Sequence, residues 1–489
     1  MKAGVLVVGA GPVGLTMAAE LARYGLPVRI VEKAAQRTDK SKALVVWSRT
    51  LELLDRAGCS GAFLAQGYKL STVDIIAGRK QIAHVTLDDV VTPHPYALMI
   101  PQSETERLLD EHLNRLGVQV ERTVELVGFV DNGSHVVSTV RHSDGAEETI
   151  ESAWLIGCDG AHSAVRHQLG LPFQGEAQMS DWILADVNID GDHRPEGIEI
   201  HWHSDGVLAI FPITRERFRV IADIGLAEGK APPANPTLEE VQDALDRRGP
   251  GGLRVSQPVW LAGFRINERK VMQYRVGHVF LAGDAAHIHS PAGGQGMNTG
   301  MQDAFNLAWK LALVHRGEGS AEPLLGSYSP ERSSVGDLVL QATGIMTTVA
   351  VMRGEVKQSI RNHVASLVFG LAAVREKMAN TMTELSIGYP KSPLNGKGAH
   401  AGERAPIREG ETAVGAGSAP RFVLFAEAGE DAEQLVREFP ALVDPAIRKP
   451  LREGEFCLVR PDGYAAVSSH DAQAVRDFLD RLLPIPQFA

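Results

Sequence analysis

The chain has 489 residues, of which 44% are hydrophobic and 22% charged, a globular composition with enough length for two or three domains. Its formal net charge of -11, with no compensating basic run, argues against nucleic acid as a partner. Cys59, Cys158 and Cys457 are far apart and form no C-x-x-C pair, so no disulfide framework and no metal site is expected, and a reducing cytoplasm fits.

Residues 3 to 32 read as strand, glycine turn, helix and strand, "AGVLVVG", "PVGLTMAAELARYG" and "PVRIVE". The lysine and apolar run at the start imitate a secretion signal, but Gly9, Gly11 and Gly14 fall in the G-x-G-x-x-G spacing of a dinucleotide fingerprint. In that fingerprint the first glycine permits the tight turn, the second lets backbone approach a pyrophosphate, and the third lets helix and strand pack closely. Glu32 ends the second strand, where a carboxylate can accept ribose hydroxyls. These residues favour a bound dinucleotide without separating FAD from NAD.

Further on, "SETERLLDEHLNRLG" reads as a helix opened by a Ser103–Glu106 capping box, and "VQVERTVELVGFV", "HVVSTVRHSDGAEETI" and "AWLIGCDG" as short strands, with a hairpin at Asp144-Gly145. In "GCDGAHSAVR" a strand runs into Asp159-Gly160; alone this is a turn, with Ser163 a helix cap. From about 175 to 275, "IEIHWH", "GVLAIFPI" and "RFRVIADI" predict an antiparallel sheet with one face covered. Glu199, His201 and His203 share one strand face, read as a solvated face rather than a metal site. Phe218 is read as core, whereas Phe211 and Pro212 are divided between core and pocket.

The strand "HVFLAGD" then leads through a Pro- and Gly-rich loop into a helix. Asp284 sits at the strand's C-terminal end, where ligands of open α/β sheets gather, and Gly293 to Asn298 can present backbone N–H groups at a helix start. His287 and His289 flank the loop, either touching substrate or holding the loop in place. "LVLQATGIMTTVAVM" and "ASLVFGLAAV" are too short and interrupted to span a bilayer and read as buried helices, so no membrane is expected. After a Pro/Gly-rich link comes a small α/β unit with a hairpin at Pro461-Asp462-Gly463.

In this order, "GAGPVG" with Glu32, "GCDGAHSAVR" and "LAGDAAHIHSPAGGQGMNTGMQDAFNLAWKL" resemble the FAD-dependent aromatic hydroxylases, the class A flavoprotein monooxygenases, over residues 1 to about 385. Within that class the chain looks most like those acting on phenols and polycyclic polyketides. The resemblance implies an α/β fold: a Rossmann-type FAD domain in two parts (1–175 and 276–390), an inserted antiparallel substrate sheet (176–275), and a thioredoxin-like unit (400–489) without dithiol chemistry.

It also implies contacts. Gly9, Gly11, Val13 and Gly14 would meet the FAD pyrophosphate, Glu32 with Lys33 the adenosine ribose, Val124 the adenine, and Gln102 the linker. Asp159 would belong to a motif shared between FAD and the nicotinamide donor, and Asp284 would bind the ribityl chain. Gly294, Gly296, Met297 and Asn298 would address the flavin's pyrimidine edge, with Pro291 near the reactive face and His289 a catalytic candidate beside it. Lys42 stands where many relatives have arginine, replacing a bidentate phosphate contact by a point charge.

The implied activity is reduction of FAD by NADPH or NADH, reaction with O2 to a C4a-hydroperoxide and hydroxylation of a small aromatic substrate, by a monomer or homodimer. Baeyer-Villiger or epoxidising chemistry on the same scaffold, and a flavin-binding sensor without turnover, are the alternatives. A flavin halogenase is disfavoured because no W-x-W-x-I-P segment is present.

Overall fold

The computed structural model describes all residues except 1, 39–40, 193, 227–234, 291–292, 351–354, 409 and 485–489. The strand Lys2–Val8, the helix Pro12–Arg23 and the strand Val28–Glu32 form the expected βαβ unit, with the strands parallel. Val5, Leu6 and Val7 are wholly buried, the signature of a central strand covered on both faces. On its other side lies the parallel strand Glu147–Gly157, and beyond that Val279–Leu281. The register sets Val8 opposite Gly157 and Gly157 opposite Leu281. All three strands therefore end at one level, and the turns "GAGPVG", "GCDG" and "AGD", far apart in sequence, emerge side by side.

The second sheet is eight-stranded and antiparallel except where Ile198–His203 pairs in parallel with Thr72–Ala77. Two of its strands, Thr72–Ala77 and Lys80–Thr86, come from well upstream of the 175–275 segment. One face, carrying Phe218, Val220 and Ala222, packs against the helix Leu238–Arg248, which a Thr237–Glu240 capping box opens. The Glu199 and His201 side chains also lie on this covered face. They are 6% and 3% exposed and bonded to each other at 2.9 Å, so the expectation of a solvated face is corrected there. Among the described residues no group of three or more His, Cys, Asp or Glu is placed to hold a metal ion.

Two further expectations change. The helix Gln102–Arg115 starts one residue before Ser103 and has no side-chain cap; Glu106 instead accepts a hydrogen bond from Gln102 Nε2. The start is set by tertiary contact, because the Gln102 N–H donates to Ala43 O and to Ser41 Oγ. The helix Glu355–Phe369 is not buried: Ile360, Val364, Leu367 and Val368 are exposed, because the helix packs by a single face on the edge strand Lys80–Thr86. Among the described residues no helix is long and apolar enough to cross a membrane.

The C-terminal unit carries the antiparallel strands Val423–Phe425, Phe456–Val459 and Ala465–Ser469 with the helices Glu430–Glu438 and Ala472–Leu482. It docks through buried charge. Arg460 Nη1 lies 2.6 Å from Glu331 Oε1, Lys310 Nζ 2.7 Å from Glu331 Oε2, and Asp462, in the predicted turn, pairs with Arg460. The two cations hold the Glu331 carboxyl below the usual carboxylate range against the cost of burial.

Candidate active site

The three fingerprint glycines are required for different reasons. Gly9 has φ +100°, and a methyl there would lie 2.5 Å from Cys158 O. A methyl on Gly14 would overlap the Gly9 carbonyl oxygen, so the helix could not lie this close to the turn. Gly11 has an ordinary extended backbone, φ -73° and ψ -177°, and a methyl there would meet nothing within 4 Å. No protein atom demands a glycine at 11. The space its side chain would fill is a cleft of about 1300 Å³, counted to its open mouth.

That cleft brings together many of the expected residues. Gly11, Val13, Lys42, Gln102, Asp284, His289, Gly294, Gly296 and Met297 all line it. Gly9, Gly14, Glu32, Lys33, Val124, Asp159 and Asn298 lie outside this lining, and Pro291 lies outside the described residues. Glu32 accepts the backbone N–H of Ala10 at 2.8 Å and of Ala34 at 2.9 Å, so its carboxylate also shapes the fingerprint turn. The Val124 N–H donates to Glu32 O. Gln102 Oε1 accepts from Ala43 N at 3.0 Å. Asp159 Oδ2 accepts from Val165 N, which together with the Ser163 cap fixes the short helix Ala164–Gln168; Asp159 Oδ1 is buried without a partner.

The helix Gly296–His315 begins with no side-chain cap, and Gln295 Nε2 donates instead to Thr381 O. Its first-turn amides are therefore available to an electron-rich group in the cleft. Asn298 contributes differently from a cleft contact. It is fully buried, its Oδ1 accepts from Trp47 N and its Nδ2 donates to Val45 O and Gly294 O, so the side chain pins the loop to the helix. Asp284 is open to the cleft but ringed by protein. Desolvation pushes its carboxyl pKa up, with His287 and Lys42 opposing.

The structure separates the two histidines. His287 holds the loop: its Nε2 lies 2.8 Å from Asp303 Oδ2, and its ring stacks between Tyr274 and His289. His289 lines the cleft, with Nδ1 3.4 Å from Ser290 O and Nε2 buried without a partner. Burial first, and then the neighbouring His287, push its imidazole down to about 4. An unfolded histidine takes a proton near pH 6.5, so the unfolded state binds more protons between 6.5 and 4, and stability falls with falling pH across that window. His289→Gln should remove this slope, a relative gain of about 3 kcal/mol by pH 4. Urea unfolding at stepped pH checks it; parallel acid limbs in native and variant protein would refute it.

Sequence reasoning missed Arg219 and its partner. Arg219 is 2% exposed, grips Asp186 by two hydrogen bonds of 2.7 and 2.8 Å, and donates to the carbonyls of Ser41 and Lys42 at 2.5 and 2.7 Å. It lines the cleft beside Phe211 and Ile221, and the register places Phe211 and Asp186 on either side of it. Only the alternation of "RFRVIADI", with Arg219 and Ile221 on the face opposite Phe218, hinted at this.

One glycine fingerprint, two further turns at the ends of neighbouring strands, and a second sheet across a shared cleft define a flavoprotein scaffold with a substrate-facing sheet. The family description "FAD binding domain" matches residues 2–343. The chain is 36% identical to 6-methylpretetramide 4-monooxygenase of Streptomyces rimosus, over 94% of this chain and 90% of that protein. It is 35% identical to rifampicin monooxygenase of Streptomyces venezuelae, over 79% of each. The solved structure of OxyS anhydrotetracycline hydroxylase from Streptomyces rimosus superimposes with a TM-score of 0.82 at 28% identity, covering 99% of this chain and all of that one. The chain belongs to this FAD-binding family and is an FAD-dependent monooxygenase.

Proposed function

We propose that the protein hydroxylates a phenolic or polycyclic, polyketide-type aromatic substrate, consuming NADPH or NADH and O2. The observation that carries this reading is the continuity of the cleft. Uncapped helix amides and Asp284 share one space with Phe211, Arg219 and Ile221 of the second sheet, so cofactor and a flat aromatic can lie against each other. The relatives named above act, by their names, on tetracycline-type and rifamycin-type compounds.

FAD, once bound and reduced by the nicotinamide donor, supplies the activated oxygen. Gly9, Gly11, Val13 and Gly14 would receive its pyrophosphate, with Lys42 as a point charge, Glu32 and Lys33 at the ribose, Val124 at the adenine and Gln102 at the linker. Asp284 would hold the ribityl hydroxyls, Asp159 would steady the adjoining turn, and the amides of Gly294, Gly296, Met297 and Asn298 would face the pyrimidine edge. Pro291 would border the reactive face, and His289, neutral above about pH 4, acts as a dry wall of the cleft that excludes water. Arg219 has four of its five N–H donors committed by the bonds above and keeps one for a substrate oxygen, which orients the ring. The unit from about residue 400 is read as a thioredoxin-like appendage whose buried Cys457 has no dithiol role.

The test is mass spectrometry of products formed under labelled O2 from a panel of phenols, naphthoquinones and anthracyclines. One labelled oxygen atom in a product that resists mild hydrolysis supports hydroxylation, whereas a hydrolysable labelled lactone indicates Baeyer-Villiger insertion. Absence of both labelled product and substrate-stimulated NADPH oxidation would turn the reading towards a sensor.

A further inference from the structure

The helix Ala372–Met382 ends with Thr383 as its cap, and the next residue, Glu384, has φ +60°. A helix commonly ends on a left-handed residue at this place, usually glycine, which adopts it without strain, whereas a glutamate side chain does not. Here the side chain is a glutamate, and it is 0% exposed. Neither the backbone nor the surface calls for a carboxyl at 384, so the reason for it lies in what the carboxyl touches.

It touches the helix that begins at Gly296. Glu384 accepts from Thr299 Oγ1 at 3.3 Å and from Gln302 Nε2, and Gln302 reaches on to Thr50 Oγ1 at 3.4 Å. The same strap, Thr381 to Glu384, accepts Gln295 Nε2 at Thr381 O and the Arg49 N–H at Thr383 O. It is thus tied to the start of the 296–315 helix at positions 295, 299 and 302. We propose that the Glu384 carboxyl is a positioning group for FAD, joining Thr299 and Gln302 so that the first two turns of that helix are held and the free amides of the first turn meet the cofactor. The proposal rests on the reading that these amides face FAD.

The group works in its neutral form. Its neighbours Thr299 and Gln302 are uncharged; Asp303 is the nearest anion along the same helix. The cations facing it are Arg332, whose guanidinium is committed to Asp303, the Tyr389 hydroxyl and Thr299 O, and Arg49, which bonds Glu52 and Asp462 O. Gln302 Oε1 is buried without a partner; the amide turned end for end would offer that oxygen to a carboxyl O–H. Burial outweighs both arginines and raises the carboxyl to about 8. Protonated, it adds no negative charge beneath a helix end that receives an electron-rich ring. Ionised, it would offset the positive potential that the helix N-terminus offers to such a ring.

The test is FAD affinity, measured by cofactor fluorescence with apoprotein from pH 6.5 to 9.5, in native protein, Glu384→Gln and Glu384→Gly. Native protein should lose at least tenfold in affinity as pH rises past 8, and Glu384→Gln should bind FAD as native does at pH 7 while staying flat. Glu384→Gly relieves the backbone but removes the tie, so it should bind weakly at every pH. Superimposable pH profiles for native protein and Glu384→Gln, or native affinity in Glu384→Gly, would overturn the proposal. No substrate or turnover enters this measurement, so failure of the hydroxylase reading is scored separately.

Discussion

Gly11→Val should yield a folded protein that binds FAD at least a hundredfold more weakly. Valine is at ease at φ -73°, ψ -177°, and its Cβ would sit where no protein atom lies within 4 Å, so the backbone has no cause to change. The same side chain enters the approach by which backbone meets a pyrophosphate in such a fingerprint. The control is Gly14→Ala, whose single methyl overlaps Gly9 O. That variant must push the Pro12–Arg23 helix off its strand and should lose stability at or above the upper end of the ~1–3 kcal/mol typical of overpacking. Calorimetry of the apoproteins and FAD titration read the pair together. Gly11→Val that stays yellow through gel filtration would show that this turn does not receive the cofactor.

Asp303→Asn is expected to be the most damaging single change to stability near the site. Its carboxylate accepts from Gly283 N at 2.9 Å, from His287 Nε2 at 2.8 Å and from Arg332 Nε at 2.5 Å, and both Asp303 and Arg332 are 0% exposed. Arg332 and His287 hold the carboxyl below its usual range even though burial works the other way. Asparagine keeps the shape but strands a buried guanidinium, a loss on the order of 3–5 kcal/mol. Because one oxygen also fixes the turn preceding Asp284, the variant should both lower the urea midpoint and release FAD more readily. A double variant, Asp303→Asn with Arg332→Met, should recover part of the stability, since the stranded charge is then gone. An unchanged midpoint in the single variant would mean that the pair contributes nothing net.

The FAD half of the site could be read from the chain because its requirements are local. A turn that needs φ near +100° at Gly9 and a close helix at Gly14 writes itself as glycine spacing, and a buried parallel strand as an unbroken apolar run. Where one residue's environment is set by distant chain, local signals misled. Ser103 and Glu106 match a capping box, yet the helix begins at Gln102 because the irregular segment at Ser41 and Ala43 supplies its partners. Glu199 and His201 alternate as a solvated face should, yet the Leu238–Arg248 helix returns to cover them.

His287 and His289 show the limit most directly. Two residues apart on one loop, they are indistinguishable by pattern, and only the placement of Asp303 on the following helix makes one a strut and the other a wall. Arg219 and Glu384 escaped notice for the same reason, since their partners lie 33, 177 and 178 residues away in one case and 82 and 85 in the other.

The amino-acid order alone determined the fingerprint turn, the parallel core strands and the two-sheet plan, because backbone conformation and hydrophobic period act over a few neighbouring residues. Tertiary structure decided which polar side chains are buried together, which face the cleft and which carry a proton. Those properties depend on desolvation and on charges brought near by strand register, and no single segment of the chain contains both partners.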